Sequence, residues 1–515
     1  MVRAEEGTSW MRLRRVWLAV GFLAFPLVAG AGRAKPPAPP PPVVEEVPTI
    51  TATGAVAELL APILAGPEFH GFDAGLEVVR VSDGAPVLAW QSDKRFVPAS
   101  TMKILTSAAA LDALGPAWTF NTDVLTDGKI EKGVLKGNLY IRGRGDPTLG
   151  AEKLWRMLSA LKSDGISEID GDIVLDDTYF TSDPELVGWE VPADRLQGPA
   201  YYPTVGACEL EFGQVTLVVR PGLADGQPGV VEVEPPAGDY VRIEGELATG
   251  STRARTRLDI DRQVSPDHVT FVVDGLLPSD APVRRYRRTI PDLTLHMAGV
   301  VSDLLKTVGP KFSGKIHRGK TPSDADRLRR ITSAPLASVL MDTNKYSSNF
   351  MAESIARVMG AELRGEGSTE AGMDVVRTYL ERLGVSPADY VLINGSGLTR
   401  DARVTPSVMN RVLRAMLADP RVGPEFVTSL AIAGVDGTME RRLSEFPGRV
   451  RAKTGTLSDV SALAGYLRAD DGTMYTFTFF ANAVEGDSDR VKSLEDQMLR
   501  ALLPYGAMTT PAAAP

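Results

Sequence analysis

Cysteine and histidine are scarce in this chain, and that scarcity removes much of hydrolytic chemistry from consideration. One cysteine, Cys208, and four histidines, His70, His268, His296 and His317, occur in 515 residues. A lone thiol excludes an intrachain disulfide and a cysteine-based metal site. No two histidines are spaced as paired ligands, and none lies near a nucleophile motif, which sets a Ser-His-Asp triad aside. Neither a metal nor a cofactor is expected. Excess positive charge is missing too. The formal net charge of −9 argues against nucleic acid as the main ligand. Two arginine clusters interrupt that balance, Arg284-Arg285-Tyr286-Arg287-Arg288 and Arg327–Arg330, and both read as solvated surface.

Long apolar runs are scarce, and the one at the N-terminus is informative. A cationic stretch, Met11–Arg15, precedes an apolar run from Val16 to about Ala29. Ala29-Gly30-Ala31 then offers the small-x-small pattern of a signal-peptidase site. The run is short for a membrane span and contains Pro26, which favours cleavage over anchoring. Residues 1–34 are therefore expected to be a signal peptide, with the start at Met11 and cleavage near Ala31. The expected location is the periplasm or cell envelope. KPPAPPPP opens a proline-rich tether over 35–49, and the tail 508–515 reads as disordered.

The rest is ordinary globular sequence, 43% hydrophobic and 23% charged, long enough for more than one core. Gly75–Arg80 and Pro86–Gln91 read as paired strands, and Thr101–Leu114 as a helix ended by Gly115-Pro116. From Trp118 to about Pro322 short β-like segments alternate with glycine and proline, and only Ala151–Ser163 reads clearly as helix. Helices dominate again from Ser333 to about Pro447. Strands at Ala462–Leu467 and Met474–Asn482 and a helix at Ser488–Leu503 close the chain. The expected fold is α/β (α+β), a domain over 50–120 and 325–507 split by a β-rich insertion at 121–324.

Three short motifs carry the chemistry. Ser100-Thr101-Met102-Lys103 is a Ser-x-x-Lys at a helix start, where residues three apart share a face and Lys103 can act as base for Ser100. Burial against the apolar helix would lower the lysine pKa and free its lone pair. The same pattern recurs at Ser159–Lys162, on the wet face of an amphipathic helix, and is rejected there. Ser347-Ser348-Asn349 is the only Ser-x-Asn in the chain, and Ser347 or Ser348 would also serve as a helix cap. Lys453-Thr454-Gly455 is the only Lys-Thr-Gly. Its glycine lets a substrate backbone approach a strand edge, and Lys453 offers charge to a carboxylate. Gly314–Thr321 matches a phosphate-binding loop in letters only. It lacks the following helix, so no nucleotide is expected.

With these motifs, and with NLYIRGRGDPTLG at Asn138–Gly150, NGSGLTRDARVTP at Asn394–Pro406 and AGVDGTMERRL at Ala433–Leu443, the chain resembles the class C low-molecular-mass penicillin-binding proteins. These are D-alanyl-D-alanine carboxypeptidase/endopeptidases. The resemblance implies a penicillin-binding transpeptidase, serine β-lactamase-like domain with a nested domain at about 186–285 inside the insertion. It also implies roles: Ser100 as nucleophile and Lys103 as base. Ser347 and Lys453 would relay a proton to the leaving amine, while Asn349 orients the substrate amide. Thr454, Gly455 and Thr456 would line the substrate, the backbone N–H groups of Ser100 and Thr456 forming an oxyanion hole. Asp194 and Arg400 match positions that read a diaminopimelate side chain. The partners implied are peptidoglycan stem peptides with D-Ala-D-Ala ends, and β-lactam antibiotics. Oligomeric state stays open, a dimer included. A β-lactamase or esterase on the same fold, and a non-catalytic wall-binding protein, are the alternatives. Tyr-x-Asn and Glu-x-x-x-Asn signatures are absent, and none of the three motifs is broken.

Overall fold

The computed structural model describes residues 51–52, 60, 62–64, 66, 72–181, 185–189, 197–484 and 486–504. The expected signal peptide and tether, Asp194 and the tail 508–515 lie outside the described residues.

A seven-stranded sheet organises the part that carries the motifs. Its order is Thr51–Ala52, Pro86–Trp90, Asp73–Arg80, Met474–Asn482, Val460–Arg468, Val450–Leu457, Ala431–Ile432, every neighbour antiparallel. Alternation along Val460–Arg468 fixes its two faces. Ala462, Ala464 and Tyr466 join a helical core, while Leu463 and Leu467 join the core under the last helix. On the first face Met102–Leu114 is buried over its first ten residues, apolar nearly all round as a central helix must be. Helices Asn349–Arg364, Thr369–Arg382 and Pro406–Ala418 share that core. The opposite face is covered by Ser488–Leu502, whose Leu494, Met498, Leu499 and Leu502 meet Leu76, Val78, Phe477 and Phe479.

Four smaller sheets and a two-stranded ladder complete the described residues. The strand Thr119–Thr126 leaves the helical core and pairs with Asp326–Pro335 inside a five-stranded sheet. Position 325, where the second segment of the motif-bearing domain is expected to begin, is followed by this strand, and the helical layer resumes at Leu336. A helix absent from the sequence reading, Leu293–Thr307, lies in the insertion, with the Asp292 side chain accepting from Leu295 N. Its β-branched pair Val300-Val301 and central Gly299 weaken the helical signal. Packing of Met297, Val300 and Val301 against Leu217, Tyr240 and Phe271 supplies what propensity does not. Gly314–Thr321 contains only the short strand Ile316–Arg318 followed by loop.

Among the described residues no helix is long and apolar enough to cross a membrane, and no acidic, histidine and cysteine cluster could hold a metal ion.

Candidate active site

Three elements from different parts of the chain converge at one end of the central helix. A single 3-10 turn, Ala99–Thr101, delivers Ser100 directly into the helix that starts at Met102. Lys103, one turn on, is completely buried. Its Nζ lies 2.8 Å from Ser100 Oγ, 2.7 Å from Asn349 Oδ1 and 2.8 Å from the Ser396 carbonyl. Burial holds its pKa well below the lysine range, the charge of Lys453 adds to the depression, and Glu353 opposes it. A neutral amine has two N–H groups and one lone pair. The two carbonyl oxygens take both N–H groups, which leaves the lone pair for the Ser100 hydroxyl.

Ser347 precedes the helix Asn349–Arg364 with a left-handed φ of 57°. The capping role falls to Ser348, which accepts from Met351 N. Ser347 is thus released to face Lys453, whose Nζ sits 2.8 Å from Ser347 Oγ and 2.8 Å from the Thr454 carbonyl. Lys453 is wholly buried on the strand Val450–Leu457, and burial pushes its pKa down to about 7. The strand's outer neighbour, Ala431–Ile432, pairs only with Arg451 and Ala452. Among the described residues, the edge from Lys453 to Thr456 therefore has no strand partner. Gly455 is needed on this edge because a Cβ there would stand 2.9 Å from the Pro98 carbonyl and 3.1 Å from Ala99 Cβ. Thr456 is exposed, and Thr454 Oγ1 donates to Thr438 Oγ1 at 2.8 Å.

The other quoted blocks hold these pieces in place. Lys345 pairs with Asp436 at 2.5 Å, and Asp436 also accepts from Ile432 N. Gly397, at φ 75°, packs so tightly on the Ala99–Thr101 turn that a Cβ would stand 1.9 Å from the Ala99 carbonyl. From the insertion, the Tyr201 carbonyl accepts from Asn349 Nδ2 at 2.7 Å. Leu186, Tyr202 and partly buried Trp189 pack with Val97, Ala99, Leu398 and Leu457. Arg400 is not free for an anion: it pairs with Asp459 at 2.9 Å, donates to Ser458 Oγ at 2.7 Å and lies 5.0 Å over the Trp189 ring. The structure brings Ser100, Lys103 and Asn349 within hydrogen-bond reach in one set and Ser347 and Lys453 in a second. Arg400 stands at the rim beyond the end of the Lys453 strand.

The profile of the D-Ala-D-Ala carboxypeptidase 3 (S13) family matches residues 56–502. The chain belongs to that family. It is 33% identical over 439 residues to a D-alanyl-D-alanine carboxypeptidase of Actinomadura sp. (strain R39), covering 82% of this chain and 80% of that one. The D-alanyl-D-alanine carboxypeptidase DacB of Haemophilus influenzae is 28% identical over 430 residues, 80% of this chain and 86% of that one. The solved penicillin-binding protein 4 of Haemophilus influenzae superposes with a TM-score of 0.74 at 27% identity, covering 89% of this chain and all of that one. The fold is the penicillin-binding, serine β-lactamase-like one that the motifs led us to expect.

Two participants in this S13 site had no signal in the motifs, the Ser396 carbonyl and Glu353. Glu353 lies one helical turn after Asn349 and is 1% exposed. Its carboxylate accepts from Ser396 N at 2.7 Å and Gly395 N at 3.2 Å, which aims the Ser396 carbonyl at Lys103. Glu353→Gln keeps the shape but offers an amide N–H to a backbone N–H, and it removes a charge that raises the Lys103 pKa. Acylation by penicillin is expected to slow by about tenfold or more, the net worth of one charge-assisted hydrogen bond. The acid limb of its pH profile should move down. A slowed reaction with an unmoved limb would assign Glu353 a purely structural role.

Proposed function

We propose that this chain is an exported serine D-Ala-D-Ala carboxypeptidase of the peptidoglycan stem peptide, with endopeptidase action on cross-links open to the same chemistry. The observation that carries this reading is the set of Lys103 contacts, which leaves one lone pair and aims it at Ser100. Ser100 Oγ attacks the carbonyl between the two D-alanines while Lys103 takes its proton. The resulting oxyanion is held by the backbone N–H groups of Ser100 and Thr456, each donor worth about 3 kcal/mol. As the C–N bond breaks, a proton reaches the leaving amine through Lys103, Ser347 and Lys453, and water then hydrolyses the ester. The open strand edge from Lys453 to Thr456 receives the peptide backbone by strand addition. Asn349 orients its amide. Protonated Lys453 and the Thr456 hydroxyl hold the terminal carboxylate, with Thr454 and Gly455 lining the strand. A β-lactam presents the same carbonyl and carboxylate and acylates Ser100 without a departing amine.

The division into a transpeptidase-like domain and an insertion belongs to this reading. We place the insertion at Thr119–Pro335, because those two end strands pair with each other. Asp194 is assigned to the amino end of a diaminopimelate side chain. Arg400, braced by Asp459, is assigned to the same side-chain pocket. The signal peptide and the envelope location complete the proposal.

D-alanine release from a diaminopimelate pentapeptide by the purified mature chain tests the activity. The same peptide with its side-chain amine acetylated tests the pocket. Asp194→Ala is expected to cut kcat/KM for the free-amine peptide by about 10–100-fold, the worth of one hydrogen bond to a charged group, and to leave the acetylated peptide untouched. Equal effects on both peptides would remove Asp194 from the site.

A further inference from the structure

The two arginine clusters have different fates in the fold. The second is consumed internally. Arg330 reaches Asp123 at 2.6 and 3.0 Å and Arg142 reaches it at 3.1 Å, with Asp123 fully buried. Arg329 in turn meets Asp164 at 2.7 Å. The first cluster is not absorbed in this way. It forms Arg284–Thr289, an edge strand of a three-stranded sheet whose other members are Gln214–Arg220 and Val230–Glu234. Register against Gln214–Arg220 puts Arg285 and Arg287 on one face and Arg284, Tyr286 and Arg288 on the other. Arg285 meets Glu234. Among the described residues, Arg284 and Arg287 have no ion pair, and the Arg288 side chain donates only to the Arg287 carbonyl, at 3.1 Å.

A fifth guanidinium nearby is committed to partners of its own. Arg262, on the strand Arg257–Val264, donates to the Thr289 carbonyl at 2.8 Å. Burial holds the pKa of both Arg262 and Arg288 below the arginine range; at Arg262 the neighbouring Tyr240, Tyr202 and Glu185 oppose the shift and the charge of Arg288 adds to it. Edge strands are commonly guarded by a charge against unwanted pairing. Four arginines in five positions exceed that need in a chain of net charge −9.

Location decides what the surface faces. Thr289 N donates to the Gly198 carbonyl at 2.8 Å, and Arg288 bridges to Pro199. Two residues further, the Tyr201 carbonyl holds Asn349 in the catalytic cleft, a span of at most ~7 Å of extended chain. The Thr289 end of the arginine strand therefore lies beside the segment that reaches the cleft, and Arg284 stands about 17 Å further along the strand. A guanidinium fork matches a carboxylate in two hydrogen bonds. We propose that the Arg284–Thr289 edge binds carboxylates of a neighbouring stem peptide on the peptidoglycan polymer while one D-Ala-D-Ala end occupies the cleft. The proposal rests on the carboxypeptidase reading and adds that the enzyme prefers polymeric substrate to free peptide. Charge complementarity and continuity with the cleft select that occupant.

The test compares the full mature chain with the triple variant Arg284→Gln, Arg285→Gln, Arg287→Gln and with the corresponding triple lysine variant. Co-sedimentation with purified sacculi is measured at low and high salt, alongside turnover of a soluble pentapeptide. The glutamine variant should bind sacculi at least tenfold more weakly and lose the salt dependence of binding, with soluble turnover within twofold of wild type. The lysine variant should recover part of the binding. Equal sedimentation of wild type and glutamine variant would overturn the proposal, as would a parallel loss of soluble turnover. Binding that vanishes when phosphate polymers are stripped from the sacculi by hydrofluoric acid would overturn the carboxylate occupant. A wild-type chain that binds sacculi yet leaves the pentapeptide intact would refute the carboxypeptidase reading instead.

Discussion

Ser100→Ala is expected to abolish covalent capture of a fluorescent penicillin and to lower kcat for D-alanine release by about 10⁵–10⁶-fold. That is the scale seen when a nucleophile acting as a unit with its base is removed. The substitution should leave the fold intact. Among the described residues, Lys103 Nζ is the one side-chain hydrogen-bond partner of Ser100 Oγ. The turn is set instead by Thr101 Oγ1 on the Pro98 carbonyl at 2.6 Å and by Ala99 packed against Gly397. Ser159→Ala is the matched control, since Ser159 and Lys162 have the same spacing but lie on the helix Ala151–Ser163, whose buried face is Leu154, Met157, Leu158 and Leu161. It should label like wild type. A band that persists after Ser100→Ala would remove Ser100 as nucleophile, and a band lost with Ser159→Ala would move the chemistry to the insertion.

The contrast between Ser100 and Ser159 also shows what could be read from the chain and what could not. Spacing is identical at the two places, so the apolar helix after Ser100 was the discriminating signal, and it is that helix which desolvates Lys103. Motifs built from side chains with rare spacing, Ser347 with Asn349 and Lys453 with Gly455, could be picked out one by one. Their meeting in space was legible only through their combination. A backbone acceptor such as the Ser396 carbonyl has no sequence signature, and Glu353 looks like any acidic residue on a helix until the chain folds over it. The strand Asp326–Pro335 escaped for the opposite reason. Arg327, Arg329 and Arg330 break the apolar alternation, and their charges are satisfied by Asp123 and Asp164, partners over 160 residues away in sequence.

Lys103→Met separates the cost of burying this lysine from the use proposed for it as base. Methionine fills a similar volume, cannot take a proton, and should lower acylation by about 10⁴-fold or more. Because base and nucleophile act on one proton, Ser100→Ala with Lys103→Met should be scarcely slower than either change alone. Stability should move the other way with pH. The native pKa of Lys103 lies well below the 10.5 of an exposed lysine, through burial first. Between those two values the unfolded chain binds a proton that the native chain does not, so wild-type stability rises as pH rises through that window. The destabilisation is fully present below the native pKa and relieved above 10.5. Lys453, with a native pKa of about 7, contributes a slope of the same sign from about 7 to 10.5. Lys103→Met removes one of these two slopes and leaves the other. Urea unfolding at pH 7.5 and 9.5 should therefore show a smaller gain with pH for the variant. At pH 7.5 its midpoint should be no lower than wild type, despite the donor lost by Asn349 and Ser396. An undiminished pH slope would mean that Lys103 is charged in the folded chain, and would take from it the role of base.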